Sequence, residues 1–363
     1  VTGVQTCALP ICVILSGSTS GTVTIQAPAV AGSPTITMPT TTGQALVSGT
    51  SLVLPQGRLT LVTATPVMTS NQTGKTTLYY TPYRGATIPI YDGSKWTHMV
   101  FSELSNITTN SSTGNAGPAA VTTNSNYDLF VWNNSGTLTL TRGPAWSSDT
   151  SRGTGAGTTQ LTMVNGIWTN TVAITNGPGA GLGTYVGTVR SDGSSQLNWN
   201  FAPSAAAGGA EAKLHVFNAY NRVFTYGISQ DSTGSWSYGT ATWRSLDNST
   251  SNRISYIDGL SELTIIASLQ AALNQSGGGL YHFGVNRDST TATPPSSTMS
   301  QIGSTNGTVQ YEVNYTPSLG YHYLQAMEAS GSGGSTTVYG QISMGLGGSN
   351  TNQGEELRVN TNM

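Results

Sequence analysis

The chain has 363 residues, of which only 8% are charged, with 13 Lys and Arg against 15 Asp and Glu. Its length suits two domains of ordinary size. The balanced charge leaves no basic surplus to neutralise nucleic-acid phosphates, and no run of about 18 apolar residues marks a membrane-spanning helix. The two cysteines, Cys7 and Cys12, lie near the start, so disulfides do not staple the body of the chain. Gly, Ser, Thr and Asn abound, yet so do aromatics, with 16 Tyr and 7 Trp. Disorder goes with few aromatics and high net charge. Here the aromatics sit in Val/Ile/Thr-rich runs at period two, which predicts an all-β protein of many short strands.

Val1 to Ile11 (VTGVQTCALPI) matches the forward translation of a sequencing-library adapter. Residues 1–12 are therefore read as non-native and carry no fold information. On this reading the native N-terminus is expected upstream. Residues 13–56 form a small module with strands expected near Thr22 to Gln26 and Thr35 to Met38, between Gly/Ser/Pro turns. The piece is too small to bury a core alone, and a flexible Ser/Thr/Gly linker is the alternative.

Residues 57–204 read as a first β-sandwich domain. Leu59 and Leu61, then Leu78 and Tyr80, alternate with Thr and other polar partners. Tyr91-Asp92-Gly93-Ser94 predicts a tight turn between Ile88/Ile90 and Trp96/Met99. Asn133-Asn134-Ser135-Gly136 predicts a second hairpin between Asn126 to Trp132 and Thr137 to Thr141. Asn165-Gly166 predicts a third, and Thr184 to Arg190 a further strand ended by Asp192-Gly193.

Residues 205–346 read as a second, jelly-roll-like domain. Its expected strands are Leu214 to Phe224, Trp236 to Arg244, Gly279 to Val285, Val309 to Tyr315, Gly320 to Ala329 and Thr336 to Gly340. Leu263 to Asn274 has a helix-like spacing, but the Gly run and aromatic strand after it favour a hairpin. The Asn/Gly/Gln-rich stretch 347–363 is expected to be an unstructured polar tail.

Signals for chemistry are weak. Gly74-Lys75-Thr76 lacks the upstream glycine of a phosphate-binding loop, since Thr69 stands there, and reads as a turn. Gly177 to Gly183 is glycine-rich but precedes a strand, so it offers no helix N-terminus and reads as a flexible loop. His98, His215, His282 and His322 have no second ligand at metal-binding spacing. No cofactor, metal or catalytic residue is expected. A polysaccharide-cleaving enzyme needs two carboxylates flanking the scissile bond; Glu312 with Glu328, on neighbouring predicted strands, is the best such pair.

Aromatic residues beside turns are the remaining candidates. Neutral sugars present apolar C–H faces that stack on Tyr and Trp rings while Asn, Asp, Gln and Ser supply hydrogen bonds. Tyr83, Tyr91 and Trp96, with Trp236, Tyr238 and Trp243, are the candidate ligand-binding residues. Each has the alternative role of a core aromatic.

The stretch Gly57 to Trp96 resembles a segment of tail and other virion structural proteins of tailed bacteriophages. NYDLFVWNNSGTLTL, FNAYNRV, WSYGTATWR and LGYHYL are weaker echoes in the same order. The module after residue 13 resembles the short shaft-like β-modules before the heads of tail fibres, in which three chains wrap together. The last strands resemble those of jelly-roll fibre heads. The resemblance implies a shaft-like module followed by two antiparallel β-sandwich or jelly-roll-like domains. It further implies a homotrimer that assembles with other tail proteins in the host cytoplasm, resides in the virion and contacts a host glycan or envelope protein without catalysis. A fibre-borne depolymerase and a secreted bacterial adhesin are the alternatives.

Overall fold

The computed structural model describes residues 12–16, 22–26, 53–276, 280–300, 306–331, 335–341 and 354–363. The chain is all-β, with several antiparallel sheets and, among the described residues, two short 3-10 turns. It divides into Val1–Ser51 and Leu52–Met363. In the first unit, Cys12–Ser16 pairs antiparallel with Thr22–Gln26. The strand expected at Thr35 to Met38 and the adapter-like residues 1–11 lie outside the described residues.

Among the described residues, three larger sheets build the second unit. Sheet I runs Thr137–Ala145, Asn126–Asn134, Thr184–Arg190, Ile167–Asn170, Leu161–Val164, with Val216–Asn218 also paired to Thr184–Arg190. Sheet II is eight-stranded and mixed, because Ala212–Leu214 runs parallel to Arg253–Asp258. Sheet III has Glu356–Asn362 between Phe224–Gln230 and Ile265–Ser276, and Ile265–Ser276 also pairs with Asn306–Tyr315 and Ser335–Tyr339. Smaller sheets comprise Gly57–Thr60, Thr77–Pro82 and Leu104–Ile107, and the hairpin Thr87–Tyr91 with Trp96–Val100.

Sheets II and III pack face to face as a sandwich. Gly227 of sheet III lies so close to Ile254, Leu214 and Ala212 of sheet II that a Cβ there would sit 2.8 Å from Ile254. The Tyr315 hydroxyl of sheet III donates to the Val285 carbonyl of sheet II at 2.6 Å. Period-two burial is clear in Ile265–Ser276, where Ile265, Ala267, Leu269, Ala271 and Leu273 are all buried and Ile266 faces solvent. Residues from all three large sheets join one apolar core.

Hairpin turns fall where the sequence places them. Asn134 pairs with Thr137 around Ser135-Gly136, and Val164 with Ile167 around Asn165-Gly166. Both residues of each loop have positive φ, 51° and 96° in one, 49° and 91° in the other. That is the type I′ geometry whose twist matches the strands, and Asn-Gly adopts it at low cost. Tyr91 pairs with Trp96 around Asp92 to Lys95.

Five expectations are corrected. The boundary at 204/205 does not separate two cores: Gln72–Lys75 and Leu197–Asn200 belong to sheet II, and Val216–Asn218 to sheet I. The run Leu214 to Phe224 is no single strand, because the chain changes sheets at His215 and opens another strand at Phe224. Trp236 to Arg244 likewise forms only the short strands Trp236–Ser237 and Arg244–Ser245 at its ends. The stretch 347–363 is no simple tail, since Glu356–Asn362 is an interior strand with Leu357, Val359 and Thr361 buried. Ile265–Ser276 is a strand, as favoured over a helix, but its successor Tyr281–Arg287 lies in sheet II, so the two do not pair as a hairpin.

Candidate functional site

A surface cleft of about 290 Å³ opens between the hairpin Thr87–Tyr91/Trp96–Val100, the end of Asn126–Asn134 and the glycine-rich loop. Tyr91, Asp92, Met99, Trp132, Asn133, Gly179 and Leu182 are among its lining residues. The alternation of a strand places Trp132 half-buried just before the turn, and its indole N–H donates to Thr141 Oγ1 at 2.7 Å, which fixes the ring. Tyr91 packs against Trp96 with ring centroids 5.1 Å apart. The Trp96 indole nitrogen is buried without a hydrogen-bond partner.

Polar groups at the cleft rim are held by their own turns. Asp92 Oδ1 accepts from the Ser94 N–H at 2.9 Å, the Ser94 hydroxyl at 2.8 Å and the Lys95 N–H at 2.9 Å. The Lys95 and Ser94 hydrogen bonds lower the carboxyl to about 2, so it stays ionised in mild acid. Asn133 Oδ1 accepts from the Gly136 N–H at 2.7 Å.

The glycine-rich loop is anchored, contrary to the expectation of a flexible one. Fully buried Asn170 donates to the carbonyls of Val172 at 2.9 Å and Gly179 at 2.8 Å, and its Oδ1 accepts from the Gly183 N–H at 2.8 Å. Thr184 then ties the neighbouring strand to the hairpin by donating to the Pro89 carbonyl at 2.6 Å. The cleft wall is therefore preorganised by buried polar contacts. Trp132, Asn133, Met99, Gly179 and Leu182 escaped the sequence reading as site residues; the Trp-Asn pair directly before a turn was the available signal.

The other aromatic candidates lie apart from this cleft's lining. Tyr83 is exposed, with the Arg58 and Arg84 guanidiniums 5.6 and 5.8 Å from its ring centre. Trp236 is a correction: it is buried, and its indole donates to Glu328 Oε2 at 2.9 Å, so it serves the core. Tyr238 is half-buried, donates to the Thr242 carbonyl at 2.8 Å and carries Arg244 over its ring at 3.8 Å. Trp243 is half-buried against the His282 ring at 6.2 Å.

Glu312 and Glu328 do not form a facing pair. Glu312 is exposed on Asn306–Tyr315 of sheet III, whereas Glu328 is fully buried on Gly320–Ser330 of sheet II. Burial raises the Glu328 carboxyl above its ordinary range, while Tyr281, Trp236 and Arg244 hydrogen-bond it and oppose the shift. Both oxygens are engaged: Oε1 by Arg244, Oε2 by Trp236 and Tyr281.

The histidines have separate surroundings. His98 is exposed; His215 is buried beside Ser255, and burial pushes its pKa well below the ordinary value. His322 Nδ1 meets Asp288 at 2.6 Å. Among the described residues no three His, Cys, Asp or Glu side chains converge as metal ligands. Gly74-Lys75 closes the edge strand Gln72–Lys75 instead of a free turn, with the Gly74 N–H donating to Asn198 Oδ1 at 3.0 Å. No helix among the described residues is long and apolar enough to cross a membrane. No protein-family model matches the chain, and no curated protein matches it.

Proposed function

We propose that this chain is a virion structural protein of a tailed bacteriophage, a tail fibre or receptor-binding appendage that presents the Tyr91–Trp132 cleft to neutral host-surface glycans and binds them without chemistry. The observation that carries this reading is the cleft itself: two aromatic rings, one locked by a hydrogen bond, beside a rim carboxylate and a side-chain amide. Such a surface suits a ligand with apolar C–H faces and many hydroxyls, for which a few placed polar groups set orientation. The strand-and-turn resemblance of Gly57 to Trp96 supplies the biological setting. A homotrimer with other tail proteins as partners follows from that setting.

Binding is favoured over cleavage because Glu328, one member of the best carboxylate pair in the sequence, spends both oxygens on buried partners. The test is a glycan array probed with the purified chain, repeated with Tyr91→Ala and Trp132→Ala. Each substitution is expected to weaken binding about tenfold or more, which corresponds to about 1.4 kcal/mol, with far-UV circular dichroism unchanged. Binding that survives both substitutions refutes the cleft as the receptor site. A chain that is monomeric in light scattering and binds no glycan counts against the fibre reading.

A further inference from the structure

The edge strand Gln72–Lys75 borders a second surface groove, which shares no lining residue with the glycan cleft. It has a volume of about 340 Å³ and is walled by Thr63, Gln72, Lys75, Thr76, Thr77 and Tyr79 among others. On Thr77–Pro82, alternation turns Thr77 and Tyr79 to one face while Leu78 and Tyr80 are buried on the other. The Tyr79 ring is thus half-buried in a wall that also carries threonine hydroxyls.

Lys75 gives the groove its charge. Lys75 pairs with Leu197 and Gln72 with Trp199, so two residues, Thr73 and Gly74, oppose the single residue Asn198. Gly74 closes this β-bulge at a φ of 67°, and its N–H donates to Asn198 Oδ1 at 3.0 Å. A bulge re-aims the side chains beside it, and here Lys75 joins the groove wall. Lys75 is half-buried and, among the described residues, forms no ion pair. No Asp or Glu lines the groove. The Thr63 wall is held from outside the groove by Glu103, which spends both oxygens there. Its Oε1 accepts from the Thr63 hydroxyl at 2.5 Å, and its Oε2 from the Ala64 N–H and the Thr81 hydroxyl, each at 2.6 Å. Ala64 is kept at a φ of 54°, a left-handed conformation that a residue with a Cβ adopts only when its surroundings impose it.

We propose that this groove binds an acidic sugar unit, with its carboxylate on Lys75, its apolar C–H face on Tyr79 and its hydroxyls on the threonine and Gln72 side chains. A lone exposed lysine holds an anion weakly. This one is partly shielded from water, lacks a competing carboxylate and stands beside an aromatic ring, so a charge-assisted hydrogen bond gains strength there. A neutral sugar leaves the ammonium unpaired, and a bare inorganic anion leaves the ring unused. The inference goes beyond the neutral-glycan reading of the Tyr91–Trp132 cleft, whose rim carries the Asp92 carboxylate. It gives the chain two sites of opposite charge preference.

The test titrates the full chain calorimetrically with oligogalacturonate and oligoglucuronate, with the methyl esters of the same oligomers, and with sodium sulfate. At least one acid form is expected to bind, and its ester, which lacks the charge, to bind about tenfold or more weakly. Lys75→Gln is expected to remove that difference, and Tyr79→Ala to weaken the acid form severalfold, with circular dichroism and melting temperature unchanged in both variants. Failure of both acids to bind, equal affinity for acid and ester, or a preference that survives Lys75→Gln overturns the proposal. So does sulfate that displaces the oligomer at equal concentration, or a full response in Tyr79→Ala, because either outcome marks a bare anion site. The acid-against-ester comparison reads Lys75 whether or not the Tyr91–Trp132 cleft takes neutral glycans, so the two proposals fail separately.

Discussion

Asn170 illustrates what one buried amide contributes at the residue scale. Its three hydrogen bonds hold Val172, Gly179 and Gly183 in place and so shape one wall of the cleft. Asn170→Ala leaves those buried backbone groups without their partner, and the expected loss is on the order of 2 to 4 kcal/mol, read from denaturant unfolding. Under the proposed glycan-binding role, affinity should fall along with stability, since the loop carrying Leu182 loosens. Retention of full stability would show that water replaces the side chain. Asn170 was not legible as a site-forming residue because its neighbours across the loop are 9 and 13 positions away. Tyr91, by contrast, was legible, because Tyr-Asp-Gly is a local turn signal that exposes the residue before it.

At the scale of elements, local signals worked wherever the cause was local. Ser135-Gly136 and Asn165-Gly166 adopt positive φ at both positions, a demand that short sequences announce. The last strand gave no such notice. Leu357 and Val359 are its only aliphatic residues, spaced by two within polar residues, so composition suggested a tail. Burial came from its neighbours: Phe224–Gln230 on one side and Ile265–Ser276 on the other supply both edges. Leu357→Ala is therefore expected to cost about 2 to 5 kcal/mol, measured by chemical denaturation, as in any core position. A change below about 0.5 kcal/mol, the scale of a surface substitution, would mean that the strand is not docked in solution.

Across the whole molecule, the acids around Glu355 set a pH dependence. Burial, and then the neighbouring Asp231, Glu356 and Asp247 carboxyls, push the Glu355 carboxyl well above the ordinary Glu range. An acid whose folded value is raised stabilises the native state fully below its unfolded value of about 4.3. That contribution is lost as pH rises through the folded value. The wild-type chain should thus lose more stability between acid and neutral pH than Glu355→Gln does, in denaturant midpoints taken across that range. Superimposable profiles would show that Glu355 is not held protonated.

The sequence by itself determined the all-β class, the hairpin turns and the spacing of most strands, because period-two patterning and turn chemistry act over a few residues. Only the tertiary structure decided which strands share a sheet. It carried the chain across the expected boundary at 204/205, set Glu328 and Trp236 in the core, assembled the cleft from three separate segments and seated the last strand beside Glu355. Those outcomes depend on pairings between residues up to 305 positions apart, as in the hydrogen bond from Arg58 to the Met363 carbonyl. No local pattern encodes such a partner, since strand pairing is chosen by the burial and hydrogen bonding available once the other sheets are in place.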